Sequence, residues 1–305
     1  MTNNAVTSYS GYILPLLLAK SPLPHYNQDK SKPRENNKMK ETDMYNHHEE
    51  SIKIMTDYFK KQEDVIALIL GGSVAKGMER PDSDLDAMVV VTPGRYERHM
   101  AEGTLSECIY GWCTYEGGYF DVKYITKHFL EAAARAASEP TRNAFVSSRV
   151  LFTRDEDITG YVRQIPLFQQ KEKDDKMLSF YSDLSLNYNY FWKICRPSGY
   201  MKLHTAAEII YACCRMVLQI NETLFPSNRR LEETAARAAN KPEGFMELCR
   251  EFEDSLSDEA CDRLVDAFLK WLPYPVPQEL SAVLSRYEAD FEQWWLNPRP
   301  FISEW

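Results

Sequence analysis

The stretch LILGGSVAKGMERPDSDLDAMVVV, Leu68 to Val91, joins a glycine turn to two closely spaced aspartates. Its apolar ends predict two buried strands, and the segment SVAKGMER between them predicts a short helix. Side chains at positions i and i+2 of a strand face the same way, so Asp84 and Asp86 should project together. Leu85 and Ala87 should then face the opposite side. The stretch therefore predicts two like charges held beside a turn.

This aspartate pair has the chemistry of a divalent-cation site. Two neighbouring carboxylates resist joint ionisation unless a cation offsets their charge. Oxygen ligands of this kind select a hard ion, chiefly Mg²⁺. A zinc site is not expected, because the six histidines include no H-E-x-x-H motif and His47-His48 fall in a predicted tail.

The glycine turn is a candidate phosphate site. Gly71, Gly72 and Ser73 lie between a strand end and a helix start, where glycines permit close backbone approach and exposed N–H groups favour an anion. The Ser73 hydroxyl can donate to a phosphate oxygen, and Lys76 follows one helical turn later. Neither a P-loop nor a G-x-G-x-x-G motif is present. An ordinary turn is the alternative, and the nearby aspartates favour the phosphate site.

The pattern along the whole chain predicts two domains. Apolar strand runs and helical periodicities alternate over residues 49–160, which predicts an α/β domain with a mixed sheet. After about Gly160 the strand signals stop, and long helical patterns over residues 161–305 predict an all-α helical bundle. Residues 1–48 are rich in Pro, Asn, Lys and Glu in their second half and predict a disordered tail.

Charge and hydropathy restrict the partners. The formal net charge of −9 argues against nucleic acid, whose binding depends on neutralising phosphates with Lys and Arg, and favours a cationic or neutral partner. The apolar run Ile13 to Ala19 is too short to span a membrane, and no positive charge precedes it as in a signal peptide. We therefore expect a soluble, cytoplasmic protein. The sequence leaves the oligomeric state open.

The motifs GGSVAKG and DLD together resemble the signature of the DNA polymerase β-like nucleotidyltransferase superfamily. The resemblance implies a third carboxylate on a later strand, and Asp121 in GGYFDVKYIT is the candidate. The longer runs GSVAKG and RPDSDLD most resemble the small-molecule branch, which includes aminoglycoside and lincosamide adenylyltransferases with helical C-terminal domains. The resemblance covers roughly residues 64 to 126.

This resemblance implies a reaction. A nucleoside monophosphate, expected to be AMP from ATP, would move to an acceptor hydroxyl with release of pyrophosphate. Two Mg²⁺ ions would be held by Asp84, Asp86 and Asp121. Glu208 in the helical part would serve as general base. Arg229 and Arg230 would grip the triphosphate. An acidic chain suits a polycationic acceptor such as an aminoglycoside, as in antibiotic resistance.

Other interpretations stay open at this point. The acceptor of the transferred group could be a protein side chain or a tRNA end, of which the net charge disfavours the tRNA. The chain could also be an antitoxin-like module that binds nucleotide without catalysis. Glu208 could be a charged residue on a solvated helix face, and Arg229 and Arg230 could simply lie in solvent.

Overall fold

The computed structural model describes residues 44–277 and 279–296. Residues 1–43 of the predicted tail lie outside the described residues. The end of that tail was predicted wrongly, because helix α1 (Asn46–Lys60) already begins at Asn46 and His48 is buried. The rings of His47 and His48 pack on Tyr115, with centroid distances of 4.6 and 4.9 Å. These ring contacts join the start of α1 to a distant part of the chain.

Five strands of the described chain form one sheet. They are β1 (Val65–Leu70), β2 (Leu85–Val91), β3 (Ser106–Tyr110), β4 (Tyr119–Ile125) and β5 (Arg149–Thr153). Their order across the sheet is β3-β4-β2-β1-β5. The β2–β4 pair is parallel and the other three pairs are antiparallel, so the sheet is mixed as predicted. The β2–β4 pair contains two of the predicted site residues, Asp86 and Asp121.

Short helices accompany the strands. They are α2 (Gly72–Ala75), α3 (Pro93–Glu102), α4 (Lys127–Ala136), α5 (Glu139–Ala144) and α6 (Asp157–Gln164). Two apolar clusters cover the two faces of the sheet, and alternate residues of β1 and β2 point into each. Ile158 and Val162 of α6 pack into one of these clusters, so the domain boundary predicted at residue 160 falls inside α6. The two-domain division stays a prediction.

The rest of the described chain is helical, which confirms the predicted fold class. Its main helices are α7 (Lys173–Leu186), α8 (Gly199–Ile220), α9 (Leu231–Arg237), α10 (Phe245–Ser255), α11 (Asp258–Trp271) and α12 (Leu280–Tyr287). A π-helical segment, Asn187–Trp192, follows α7, and a 3₁₀ turn, Asn228–Arg230, precedes α9. A separate apolar core surrounds the buried residues of α8. None of the described helices has the length and apolarity needed to cross a bilayer.

Candidate active site

Strand pairing brings two of the predicted aspartates side by side. Strands β2 and β4 run parallel, and their register sets Asp86 opposite Asp121. Leu85 and Ala87 are buried in the sheet while Asp86 between them is only partly buried, which is the predicted alternation. The parallel register therefore presents two carboxylates on one face of the sheet.

The glycine turn lies directly against Asp86. The Gly71 N–H donates to the Asp86 carbonyl oxygen at 2.9 Å. Gly72 has a φ of +66°, and a Cβ atom built on it would stand 1.6 Å from Asp86 Oδ2. A side chain at position 72 is thus excluded by the carboxylate as well as by the backbone conformation. The turn and the aspartates form one site.

Asp84 lies just before β2. Two tyrosines lie near it, namely Tyr119, the first residue of β4, and Tyr115 in the preceding loop. The Asp84 carboxylate lies near the Tyr119 hydroxyl, and this interaction raises the pKa of Tyr119. The Tyr115 hydroxyl donates to the carbonyl oxygen of Ser83 at 2.5 Å. The Tyr115 hydroxyl therefore fixes the backbone at the point where the DLD motif enters the strand, and the Tyr119 hydroxyl lies near the carboxylate.

The three aspartates are close enough to affect one another electrostatically. Burial raises the pKa of the Asp86 carboxyl, and the negative charges of Asp84 and Asp121 raise it further. The positive charges of Lys123 and Lys76 act in the opposite direction. Asp86 is the centre of this cluster, because it interacts with both other carboxylates and with both lysines.

Lys76 and Arg230 form the cationic side of the site. The Lys76 ammonium donates to the main-chain oxygen and to Oδ1 of Asn143, both at 3.3 Å. Burial lowers the pKa of Lys76, the positive charge of Arg230 lowers it further, and Asp86 raises it. The Arg230 side chain is exposed and lies 3.4 Å from the Glu233 carboxylate, so it acts on Lys76 through its charge. Arg229 is exposed in the same 3₁₀ turn.

Helix α2 contributes less than the sequence suggested. It has only four residues, Gly72–Ala75, so its aligned peptide dipoles supply little attraction for an anion. Ser73 is partly buried in the turn, where its carbonyl oxygen accepts from the N–H groups of Lys76 and Met78. Positive charge for an anion at this site comes mainly from the side chains of Lys76 and Arg230.

The donor chemistry of the acidic cluster fits a hard divalent cation. Asp84, Asp86 and Asp121 offer only carboxylate oxygens, the ligands that Mg²⁺ prefers. Within the ranges 44–277 and 279–296, however, no group of three or more His, Cys, Asp or Glu is already arranged so that it could hold a metal ion. Like charges repel, so these carboxylates are not expected to converge without a cation between them.

Glu208 lies on α8, where its charged neighbours are His204 and Asp183. Burial raises the pKa of Glu208, and the nearby His204 opposes this effect. The His204 Nδ1 and Glu208 Oε1 atoms are 3.8 Å apart. Asp183 on α7 is buried, and burial followed by the charge of Glu208 raises its pKa well above the usual value. Two carboxyl groups of the helical part thus share one weakly solvated region.

The face of α8 that includes Glu208 points toward the sheet-containing part. Arg215, seven residues further along α8, lies 3.5 Å from the Glu139 carboxylate of α5. Seven residues make about two helical turns, so Glu208 lies on the same side of α8, about 10 Å along the axis. Tyr211 lies between them and its hydroxyl accepts a hydrogen bond from Arg215. Glu208 therefore lies on the face of α8 that contacts α5, about two turns closer to the start of the helix.

Sequence reasoning missed several residues of the site. Lys123 follows Asp121 at period two and could have been found by the same argument that paired the aspartates. Asn143, Tyr115 and Tyr119 gave no comparable signal, because their contacts join segments that are distant in sequence. No local spacing relates Lys76 to Asn143, which lies 67 residues further along the chain.

One family model matches the part of the chain that contains the glycine turn and the aspartates. Residues 52–189 match the family described as nucleotidyltransferase domain. A nucleotidyltransferase-like protein from Exiguobacterium sibiricum is 12% identical over 83% of this chain and 81% of its own, with a TM-score of 0.43. Spectinomycin adenyltransferase AAD(9) from Enterococcus faecialis, solved with ATP and spectinomycin, is 14% identical over 81% of this chain and 98% of its own, with a TM-score of 0.29. No curated protein matches the sequence.

The class of protein follows from the fold, the site and the family match. Residues 52–189 match the nucleotidyltransferase domain family, and this match indicates a nucleotidyltransferase enzyme. This confirms the superfamily predicted from the GGSVAKG and DLD motifs.

Proposed function

We propose that the protein transfers AMP from ATP to a hydroxyl group of a small, positively charged molecule and releases pyrophosphate. One observation supports this most directly. The parallel register sets Asp86 beside Asp121, and the same Asp86 carboxylate lies against Gly72 of the turn. Carboxylates and a glycine turn in this arrangement suit a nucleoside triphosphate bound with a divalent cation.

The nucleotide would bind between the acidic and the cationic sides of the site. Gly71 and Gly72 let the triphosphate approach the backbone, and Ser73 donates its hydroxyl to a phosphate oxygen. Lys76 and Arg230 neutralise phosphate charge from opposite parts of the chain, with Arg229 next to Arg230 as a further cation. Orientation and charge neutralisation are what phosphoryl-type transfer needs most from a protein.

Asp84, Asp86 and Asp121 would hold the magnesium ions, which we propose as cofactor. Bound Mg²⁺ would neutralise charge on the triphosphate and would lower the pKa of the attacking hydroxyl. The Tyr119 hydroxyl, which interacts with Asp84, would orient this carboxylate. The protein groups around the aspartates therefore supply the rigidity that a metal-dependent transfer requires.

Glu208 is the proposed general base. The acceptor oxygen attacks the α-phosphorus, its proton passes to the Glu208 carboxylate, and the bond to pyrophosphate breaks on the opposite side. The partial burial that raises the pKa of Glu208 makes it a better proton acceptor near neutral pH. Its position on the face of α8 that continues from the contact with α5 supports the assignment.

The charge of the chain supports a cationic acceptor such as an aminoglycoside, and with it a role in antibiotic resistance. The net charge is −9, and the helical part contributes the partly buried Glu208, which we propose as the base, and the buried Asp183, which interacts with it. A negative cleft concentrates cations, and an amine on the acceptor would offset the charge that burial disfavours.

Pyrophosphate release tests this function. Wild-type protein is assayed with each nucleoside triphosphate and Mg²⁺, with and without a panel of aminoglycosides, neutral polyols, proteins and tRNA. We expect release with ATP that depends on a cationic small acceptor. Asp84→Asn and Asp86→Asn should each lower the rate by about 10²–10³. Asp82→Asn is the matched control, because Asp82 is exposed in an ion pair with Arg80 at 3.2 Å.

The assay also separates the alternatives. Release that depends on tRNA or a protein acceptor would replace the small molecule in the proposal. ATP binding without release under any condition would indicate a non-catalytic nucleotide-binding module and would contradict the proposed function.

A further inference from the structure

Helix α5 connects the phosphate side of the site to the helical part of the chain. Its residue Asn143 accepts two hydrogen bonds from Lys76, both at 3.3 Å. Its first residue, Glu139, lies four positions earlier and therefore one turn away on the same side of the helix. A short helix thus joins the residue that holds Lys76 to a fully buried carboxylate.

Glu139 binds three separate segments of the helical part. Its Oε1 atom accepts from Lys176 Nζ at 2.9 Å and from Gln219 Nε2 at 2.6 Å. Its Oε2 atom accepts from the main-chain N–H of Phe225 at 2.8 Å and lies 3.5 Å from Arg215 Nη2. The side chain has no exposed surface. A buried carboxylate is tolerated at this position because donors surround it.

The bond to Phe225 differs from the others, because it fixes a backbone position in a connecting segment. Phe225 is buried and begins the segment FPSNRR, which ends at Arg230. The Arg230 N–H donates to the Ser227 carbonyl oxygen at 3.0 Å, so the segment is compact. The anchored N–H of Phe225 lies only five positions before Arg230, whose charge acts on Lys76. A shift at Phe225 would therefore move Arg230.

We propose that Glu139 is a positioning residue for the nucleotide, which holds Phe225 and thereby the compact segment that carries Arg230. Through α5, one buried carboxylate sets the position of both cations relative to each other. The inference rests on the proposed function, since it assigns these cations to the triphosphate. It predicts that Glu139 acts on nucleotide affinity through Arg230, although Glu139 itself does not touch the nucleotide.

A double-mutant cycle tests the proposal. Binding of Mg²⁺ and a non-hydrolysable ATP analogue is measured by calorimetry for wild type, Glu139→Gln, Arg230→Ala and the double variant. A glutamine offers one oxygen, which the Lys176 ammonium should retain, so the Phe225 N–H would face an amide NH₂ group. We expect each single variant to weaken binding about tenfold, which corresponds to about 1.4 kcal/mol. The double variant should bind no more weakly than Arg230→Ala alone.

A matched control and a second variant make the result independent of folding. Gln219→Met removes a donor to the other oxygen of the same carboxylate and should leave affinity within twofold of wild type. Circular dichroism verifies the fold of each variant. If Glu139→Gln does not fold, Glu139→Asp replaces it, because it keeps the negative charge near Lys176 and Arg215 but is one methylene shorter. The same tenfold, non-additive loss is expected.

The outcomes distinguish this inference from the proposed function. Unchanged affinity in a folded Glu139 variant, or losses that add fully in the double variant, would overturn the positioning role and leave the proposed function intact. Equal losses in Gln219→Met and Glu139→Gln would also overturn it, because they would indicate a general loss of packing. Wild-type protein that binds no nucleotide would overturn both.

Discussion

The Asp86 carboxylate occupies the space that a side chain at position 72 would need. A Cβ atom on Gly72 would stand 1.6 Å from Asp86 Oδ2 and 2.3 Å from its Cγ atom. The contact joins the two motifs that predicted the site, the glycine turn and the D-x-D pair. A side chain at position 72 would therefore displace the Asp86 carboxylate.

Gly72→Ala should therefore lower the rate of transfer by about 10²-fold or more, because displacing a catalytic group by about 1 Å has effects of this size. Gly77→Ala is the matched control. Gly77 has a φ of +63°, close to that of Gly72, but a Cβ atom on Gly77 would have open space within 4 Å. Both variants should lose about 1 kcal/mol of stability from the left-handed backbone. Steady-state rates of the two folded variants measure the difference, and equal rates would contradict the role of the Gly72–Asp86 contact.

Lys76→Met should raise the KM for the nucleoside triphosphate about tenfold, because it removes a phosphate-binding charge. Asn143→Ala should raise it less, since the main-chain oxygen of residue 143 still accepts from Lys76 at 3.3 Å. Initial rates at varied nucleotide concentration give both constants. A larger KM in Asn143→Ala than in Lys76→Met would be inconsistent with direct phosphate binding by Lys76.

The rate of transfer should fall at acid pH because the proposed base must be unprotonated. Burial raises the pKa of Glu208 above its usual value of 4.5, so the acid limb of the kcat profile should lie above pH 4.5. Glu208→Gln should lower kcat by about 10²–10⁴ and remove this limb. A pH profile that is identical in the variant would show that another group accepts the proton.

Asp183→Asn should stabilise the protein at neutral pH. The folded-state pKa of Asp183 is raised, first by burial and then by the charge of Glu208. The protonated Asp183 therefore stabilises the fold fully below its unfolded-state pKa, and this stabilisation is lost as the pH rises through the folded-state pKa. An asparagine can still accept the 2.8 Å hydrogen bond from Asn187. Thermal unfolding at pH 7 should show a higher Tm, by about 2–4 °C for each kcal/mol gained. Asp266→Asn, at an exposed position, is the control and should change little. A lower Tm for Asp183→Asn than for wild type would contradict the assignment.

The strands with apolar residues could be predicted from the sequence, whereas β3 at one edge of the sheet could not. The strands β1, β2, β4 and β5 correspond to apolar or alternating runs. Strand β3, Ser106–Tyr110, has the residues SECIY with alternating exposed and partly buried positions, so it lacks a strong signal. It forms because it pairs with β4 through Ser106 and Lys123 and their neighbours. That pairing is a property of the folded sheet.

The residues of the site also fall into those that the sequence could predict and those that it could not. The positions of Gly72, Asp84 and Asp86 could be predicted because they lie in one continuous stretch with period-two geometry. The contacts of Glu139 with Phe225 and of Asn143 with Lys76 join residues that are 86 and 67 positions apart. They depend on how the helical part packs, which no local pattern encodes.

Metal binding tests the central claim most directly, namely that the side chains at 84, 86 and 121 hold divalent ions together with the nucleotide. Free Mn²⁺ is measured by electron paramagnetic resonance while the ion is titrated into protein with a non-hydrolysable ATP analogue. Wild type and Asp82→Asn should each bind about two ions per chain, as expected of two-metal sites, and Asp86→Asn should lose at least one of them. Equal Mn²⁺ binding by Asp86→Asn and wild type would contradict the account.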